Sequence, residues 1–270
     1  MTNIFRRMSF GPRVIVFIAT CAPFFAGAGA AMGAASEEVV VFQAASLKDV
    51  FAKLAPQFEK GNPGVKVIAN AAGSQELRTQ IEHGAAADVV ASADRKHMDA
   101  LLSQGLVVAP SVFTCNEPVV VVRAALSSTL KTFADLPRAE RIVIGVPEVP
   151  IGAYALQILQ KAAATQGADF PARVQARVAS RELNVRQVLA KVVLGEADAG
   201  IVYRSDASAA RGKVAVVTIP PESNVIAEYP IAALKAAPHP DLARRWIDLV
   251  KSPAGAAALR DAGFTACPSK

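Results

Sequence analysis

The sequence predicts an α/β fold built as two doubly wound lobes, and three observations predict it. Apolar β-branched runs alternate with segments of helical period, first as three strand-helix units and then as a second, similar series. The 270 residues are long for one α/β domain and suit two of about 130. No Gly/Ser tether, low-complexity tract or internal repeat separates the two series, so structured strands must join them.

Residues 39–42 form an apolar β-branched run, and Ser46-Leu47-Lys48-Asp49 then opens a helix with Leu47, Val50, Phe51, Leu54 and Phe58 on one face. Pro56 falls inside that pattern and removes a backbone bond, which predicts a kink or an early end. Residues 65–69 lead into a helix at 74–83 closed by Gly84, and residues 88–92 into one at 95–104 closed by Gly105. Three such units in succession predict a parallel sheet. The second series has strands at 119–122 and 142–145, a helix at 154–164, and a helix at 185–194 before a strand at 200–203. Residues 214–219 and 225–234 read as strands, and 242–251 as a final amphipathic helix carrying Trp246. If 116–122 and 224–233 carry the chain across and back, the lobes are 36–117 with 229–270, and 118–228. Two crossings are what hinge closure requires.

The first 35 residues read as a signal peptide. Arg6, Arg7 and Arg13 form its charged end, 14–25 its apolar core, and 26–35 a run of small residues with A-x-A cleavage sites. Pro23 breaks the apolar stretch well short of the ~20 residues a membrane span needs. Export to the periplasm is therefore expected; lipid anchoring at Cys21 is the lesser alternative, because Ile18-Ala19-Thr20 matches a lipoprotein signal poorly. Removing those three arginines lowers the formal charge from +6 to +3, and no Lys/Arg-rich run argues for nucleic acid. Export leaves Cys115 and Cys267 where disulfides persist. They are either bridged or two separately buried thiols.

Enzyme constellations are poorly represented. His83 ends a helix, His97 falls on a charged helix face and His239 lies between prolines, so none reads as a catalytic base. No G-x-S-x-G elbow, Cys/His metal cluster or glycine-rich phosphate loop occurs. Small polar residues instead mark the strand-to-helix junctions: Ser46, Ser74, and Asn184 before Val185. Each alone reads as a helix cap. Together they suggest an anion site, because ligands of open α/β sheets lie beyond the carboxyl ends of the strands, where helix N-termini offer unpaired N–H groups.

At these positions the chain resembles the periplasmic molybdate-binding proteins of ABC importers, from residue 39 to about 264. The resemblance is carried by Ala44-Ala45-Ser46-Leu47, Gln80-Ile81-Glu82 with Ala87-Asp88 and Ser92-Ala93-Asp94, Val149-Pro150-Ile151-Gly152 with Tyr154, and Gly200-Ile201-Val202-Tyr203-Arg204-Ser205-Asp206-Ala207. It implies the type II periplasmic binding fold, with an oxyanion held in the cleft between lobes. Ser46 and Ser74 would hold the anion from the first lobe by hydroxyls and backbone N–H groups. The backbone N–H groups of Ile151 and Val185 and the hydroxyl of Tyr203 would hold it from the second. Two departures stand out: Gly73-Ser74-Gln75 keeps one hydroxyl where the family often has a run of serines, and Ile151 replaces a small residue. The resemblance further implies molybdate or tungstate as ligand, no cofactor, no catalytic residue and no directly coordinated metal cation. A monomer serving a membrane permease and its ATPase subunit follows in the same way. The alternatives are a binder of sulfate or another tetrahedral oxyanion, a sensing role, and an exported hydrolase on a similar scaffold. A donor-only site would reject phosphate, whose remaining proton needs an acceptor, unless Glu76, Glu148 or Glu182 faces the cleft.

Overall fold

A computed structural model describes residues 37–268 of the chain; the expected signal segment and Cys21 lie outside them. Among the described residues no helix is long and apolar enough to cross a membrane.

The first sheet contains β1 (Glu37–Ala44), β2 (Val65–Ala72), β3 (Val89–Ala91), β4 (Val107–Asn116) and β10 (Ala227–Leu234), in the order β2-β1-β3-β10-β4. The second contains β5 (Pro118–Arg123), β6 (Ile142–Gly145), β7 (Val178–Glu182), β8 (Ala199–Tyr203) and β9 (Val214–Thr218), in the order β7-β6-β8-β5-β9. The two orders are the same arrangement built twice. Neither sheet is wholly parallel as the strand-helix units predict: β10 in one and β5 in the other run antiparallel to both neighbours. The reason lies in the connections. Each of these strands enters its sheet directly from the other lobe, with no crossover helix to reverse the chain. The chain leaves the first sheet at Asn116, enters the second at Pro118, and returns at Ala227, where β10 already pairs with β4 ahead of position 229.

The helices are α1 (Lys48–Gly61), α2 (Ser74–Glu82), α3 (Arg95–Ser103), α4 (Pro150–Gln166), α5 (Phe170–Gln175), α6 (Val185–Val193), α7 (Arg204–Ala209), α8 (Pro240–Lys251) and α9 (Pro253–Asp261). Proline opens α4, α8 and α9, where its missing N–H costs nothing. Pro56 neither ends nor shortens α1, which continues to Gly61. Its ring faces solvent, so water can take the freed carbonyl of Ala52, and the next turn is held by Phe58. Phe58 and Phe51 pack edge-on against Trp246 of α8, each with centroids 5.4 Å apart. Strands β4 and β7 and helices α5, α7 and α9 have no counterpart in the periodicity reading. Strand β4 contains Pro110 and alternates weakly, and its pairing with β10 is interrupted by register shifts.

Two features tie distant parts of the chain together. Cys115 on β4 is disulfide-bonded to Cys267, and backbone bonds between Cys115 and Thr265 fix the end of the chain beside the first crossing. Between the lobes, Arg186 of α6 lies 2.8 Å from Asp49 of α1 and 2.8 Å from Asp206 of α7. Burial pushes the Asp206 carboxyl up to about 6, against the opposing pull of the Arg186 guanidinium.

These features generate two predictions. A Cys115→Ser/Cys267→Ser double variant should lose at most about 5 kcal/mol, the loop-entropy value for a 152-residue separation, as read by urea unfolding. Asp206 has a folded pKa above its unfolded one, so its contribution is fully present below about pH 4 and is lost as pH rises through 6. Asp206→Asn should remove a decline on the order of 2–3 kcal/mol across that window, measured by urea unfolding at stepped pH; an unchanged pH profile would refute the assignment.

Candidate functional site

A small cleft between the lobes encloses about 220 Å³, its open mouth included, and Ser46, Ser74, Ile151, Val185 and Tyr203 all border it. Five positions chosen from sequence on separate elements thus meet in one place. The architecture explains why. β1, β2, β6 and β7 end at the cleft, and the chain then turns into helices whose first turns face it.

Each helix start presents unpaired N–H groups for a specific local reason. At α2 the cap is Gly73, which has no side chain to spend on the helix. Its carbonyl takes the amides of Glu76 and Leu77, leaving those of Ser74 and Gln75. At α4 Pro150 is the first residue, so the first N–H available is that of Ile151. The Asn184 side chain caps α6 by accepting from the amides of Arg186 and Gln187, which leaves the Val185 N–H free of the cap. The start of α4 is pressed against the end of β6: a Cβ on Gly152 would lie 2.0 Å from the Val146 carbonyl oxygen, and one on Gly145 2.8 Å from the Gly152 nitrogen. Only glycine at both positions lets the helix begin this close to its strand. Ile151 is 1% exposed and belongs to the hydrophobic core, so packing absorbs the bulk that distinguishes it from the family's small residue.

The hydroxyls are equally constrained. Ser74 Oγ accepts from the Ala93 amide at 3.0 Å, so its own hydrogen must point elsewhere. Ser46 Oγ lies 2.9 Å from the Tyr229 hydroxyl. Tyr203 Oη is buried with no hydrogen-bond partner among the described residues. Burial, reinforced by Tyr229, holds its phenol well above the usual range, so it keeps its proton and can donate. The ring stacks edge-on with Tyr154 and Tyr229, and Tyr229 with Phe264, which fixes its orientation.

Among the described residues no charged side chain borders the cleft. Glu76 and Glu148 are exposed, and Glu182 is engaged by Lys191 at 2.7 Å. None of the three histidines borders it either. His97 departs from the expected charged helix face: it shares the buried side of α3 with Met98 and Leu101, and its Nε2 lies 2.9 Å from the Glu148 carbonyl oxygen of the opposite lobe. Beside the cleft Gln75 likewise reaches across, donating to the Leu183 carbonyl at 2.8 Å. Among the described residues no cluster of His, Cys, Asp and Glu could hold a metal ion. The site is a ring of neutral donors, suited to a ligand made of acceptors.

The sequence reading missed the groups behind this ring. Tyr229 reaches Ser46 from the returning strand, 183 positions away, and Ala93 reaches Ser74 from the end of β3. Ser92-Ala93-Asp94 figured among the residues of resemblance, but nothing local marks Tyr229.

Comparison with known proteins places the chain in a family. Residues 39–265 match the family model described as bacterial extracellular solute-binding protein. The molybdate-binding protein ModA of Mycobacterium tuberculosis is 40% identical over 244 residues, which is 90% of this chain and 89% of that protein. The periplasmic molybdate-binding protein of Azotobacter vinelandii superposes with a TM-score of 0.74 at 22% identity, over 86% of this chain and all of that one. The sulfate-binding protein SubI of M. tuberculosis gives 0.75 at 21%, over 84% and 86%. The last two similarities show the two-lobed fold without distinguishing between oxyanions. With the family match spanning both lobes and the cleft between them, the chain belongs to the bacterial extracellular solute-binding proteins.

Proposed function

We propose that this protein is the solute-binding component of an ABC importer and captures molybdate by closing its lobes around the anion. The observation that carries the reading is the buried Tyr203 hydroxyl, which lacks a protein acceptor at the border of a cleft ringed by uncapped helix amides. A tetrahedral dianion offers acceptors only and satisfies all of these groups at once. Its charge is met by helix dipoles and charge-assisted hydrogen bonds, with no salt bridge. The similarity to molybdate-binding relatives supports this choice of ligand.

Closure follows from where the donors sit. Ser46 and Ser74 belong to the first lobe, and Ile151, Val185 and Tyr203 to the second, so the anion favours the closed arrangement by the contacts the second lobe adds. Gln75, His97 and Arg186 bridge the lobes beside it. We extend the reading to tungstate, which shares the tetrahedral form, and to a monomer that works in the periplasm. It delivers its cargo to a membrane permease whose ATPase subunit hydrolyses ATP. We read the protein as a binder and not an enzyme, in keeping with its family of solute-binding proteins. Sulfate is the competing ligand, favoured by the shared fold with a sulfate-binding protein.

Calorimetric titration with molybdate, tungstate, sulfate and phosphate in turn tests this. One-to-one binding of the first two, with the others weak, is expected, and Tyr203→Phe should weaken molybdate about ten- to a hundredfold. Stronger binding of sulfate would replace the ligand, and no response to any of the four would remove the oxyanion reading.

A further inference from the structure

We infer that Tyr229 is a positioning residue: by donating to Ser46 Oγ it keeps the Ser46 hydrogen for the cleft, and so disfavours oxyanions that carry a proton. The inference deepens the molybdate reading and rests on it.

The argument follows the protons through a buried chain of polar groups. Asn116 stands at the end of β4, at the first crossing. Its Oδ1 accepts from the Glu117 amide at 3.0 Å, which settles the amide's orientation and turns its NH₂ the other way. That NH₂ donates to Ser205 Oγ at 2.8 Å and approaches the Tyr229 oxygen at 3.5 Å. Asn116 therefore offers Tyr229 a donor and no acceptor. Tyr229 is completely buried, and Ser46 Oγ, at 2.9 Å, is the one acceptor within its reach among the described residues. A buried phenol that can donate to a single neighbour does so. Ser46 Oγ then has one of its two lone pairs taken and cannot spend its own hydrogen on Tyr229, which leaves that hydrogen for an acceptor in the cleft it borders. Burial also holds the Tyr229 phenol well above its usual range, so it remains protonated at any pH the protein meets.

Ser74 is held the same way by the Ala93 amide. The two hydroxyls of the first lobe are thus both polarised outward, one by a backbone group that cannot be mutated away and one by a side chain that can. Without the Tyr229 hydroxyl nothing holds the Ser46 hydroxyl in orientation, so it turns a lone pair to the cleft as readily as its hydrogen. Hydrogen phosphate, whose proton otherwise meets hydroxyls held as donors, then gains a partner. Sulfate carries no proton at neutral pH and gains nothing.

The test is titration of the full mature protein and Tyr229→Phe with molybdate, sulfate and phosphate at neutral pH. The variant should bind molybdate about tenfold more weakly, and its phosphate-to-molybdate affinity ratio should rise by at least about tenfold, while the sulfate-to-molybdate ratio stays within about twofold. In a Ser46→Ala background the same substitution should change neither ratio, because Tyr229 acts through Ser46. Asn116→Asp offers a second route: it gives Tyr229 an acceptor, draws its proton away from Ser46 and should raise the phosphate ratio too. A parallel rise of the sulfate and phosphate ratios would mean a loosened cleft, and an unchanged phosphate ratio in Tyr229→Phe would mean no polarising role. Either result overturns the inference. Failure of the unmodified protein to bind molybdate would instead overturn the functional reading beneath it.

Discussion

A buried donor with no acceptor costs about 1–3 kcal/mol, and this fold gathers several at one point. The Tyr203 hydroxyl, the amides of Ser74 and Gln75 and those at the starts of α4 and α6 have no helix partner for geometric reasons that cannot be relieved locally. Much else follows from this concentration. Glycine caps α2 because a polar cap would consume the donors; proline opens α4 because it adds none; Asn184 takes the second and third amides of α6 and leaves the first. The glycines at 145 and 152 exist to bring a strand end and a helix start close enough to share the cleft. An acceptor-rich ligand completes what the fold leaves open.

The crossings between the lobes and the site are built from the same strands. Asn116 ends the outgoing strand and approaches Tyr229, near the start of the returning one, which in turn meets Ser46 just past the end of β1. Asn116 also donates to Ser205 of the second lobe, directly after Tyr203 and Arg204. The hydrogen bonds that orient the groups lining the cleft therefore run through the two crossings that join the lobes, while Gln75, His97 and Arg186 meet their partners on the flanks.

What could be read from the sequence was whatever is local. Residues 39–42, 142–145 and 214–219 announce strands by β-branching, and α2, α3 and α6 announce their ends through Gly84, Gly105 and Asn184. Ser46, Ser74, Ile151, Val185 and Tyr203 were found through motifs of a few residues each, and their meeting at one cleft is a property of two sheets sharing one topology. What was hidden is non-local. The antiparallel course of β5 and β10 depends on which lobe the chain has just left, and β4 carries Pro110 and a broken register that blur its alternation. Pro56 reads as a helix breaker, yet Phe58 in the next turn is anchored by an indole from the far end of the chain. Tyr229 could not be assigned to Ser46 without knowing that the returning strand lies two places from β1.

The interleaving of the first sheet also has a consequence for the order of assembly. All strands of the second sheet lie between residues 118 and 218, so that lobe is complete as soon as one continuous stretch is available. The first sheet has β10 inserted between β3 and β4, and its helical cover includes α8 and α9. A chain emerging N-terminus first must hold β1 to β4 as an unfinished sheet until residue 234 has arrived, with the gap between β3 and β4 exposing unpaired strand edges. The lobe made first is thus finished last, and the Cys115–Cys267 bond, which needs nearly the whole chain, fastens it only at the end of that sequence.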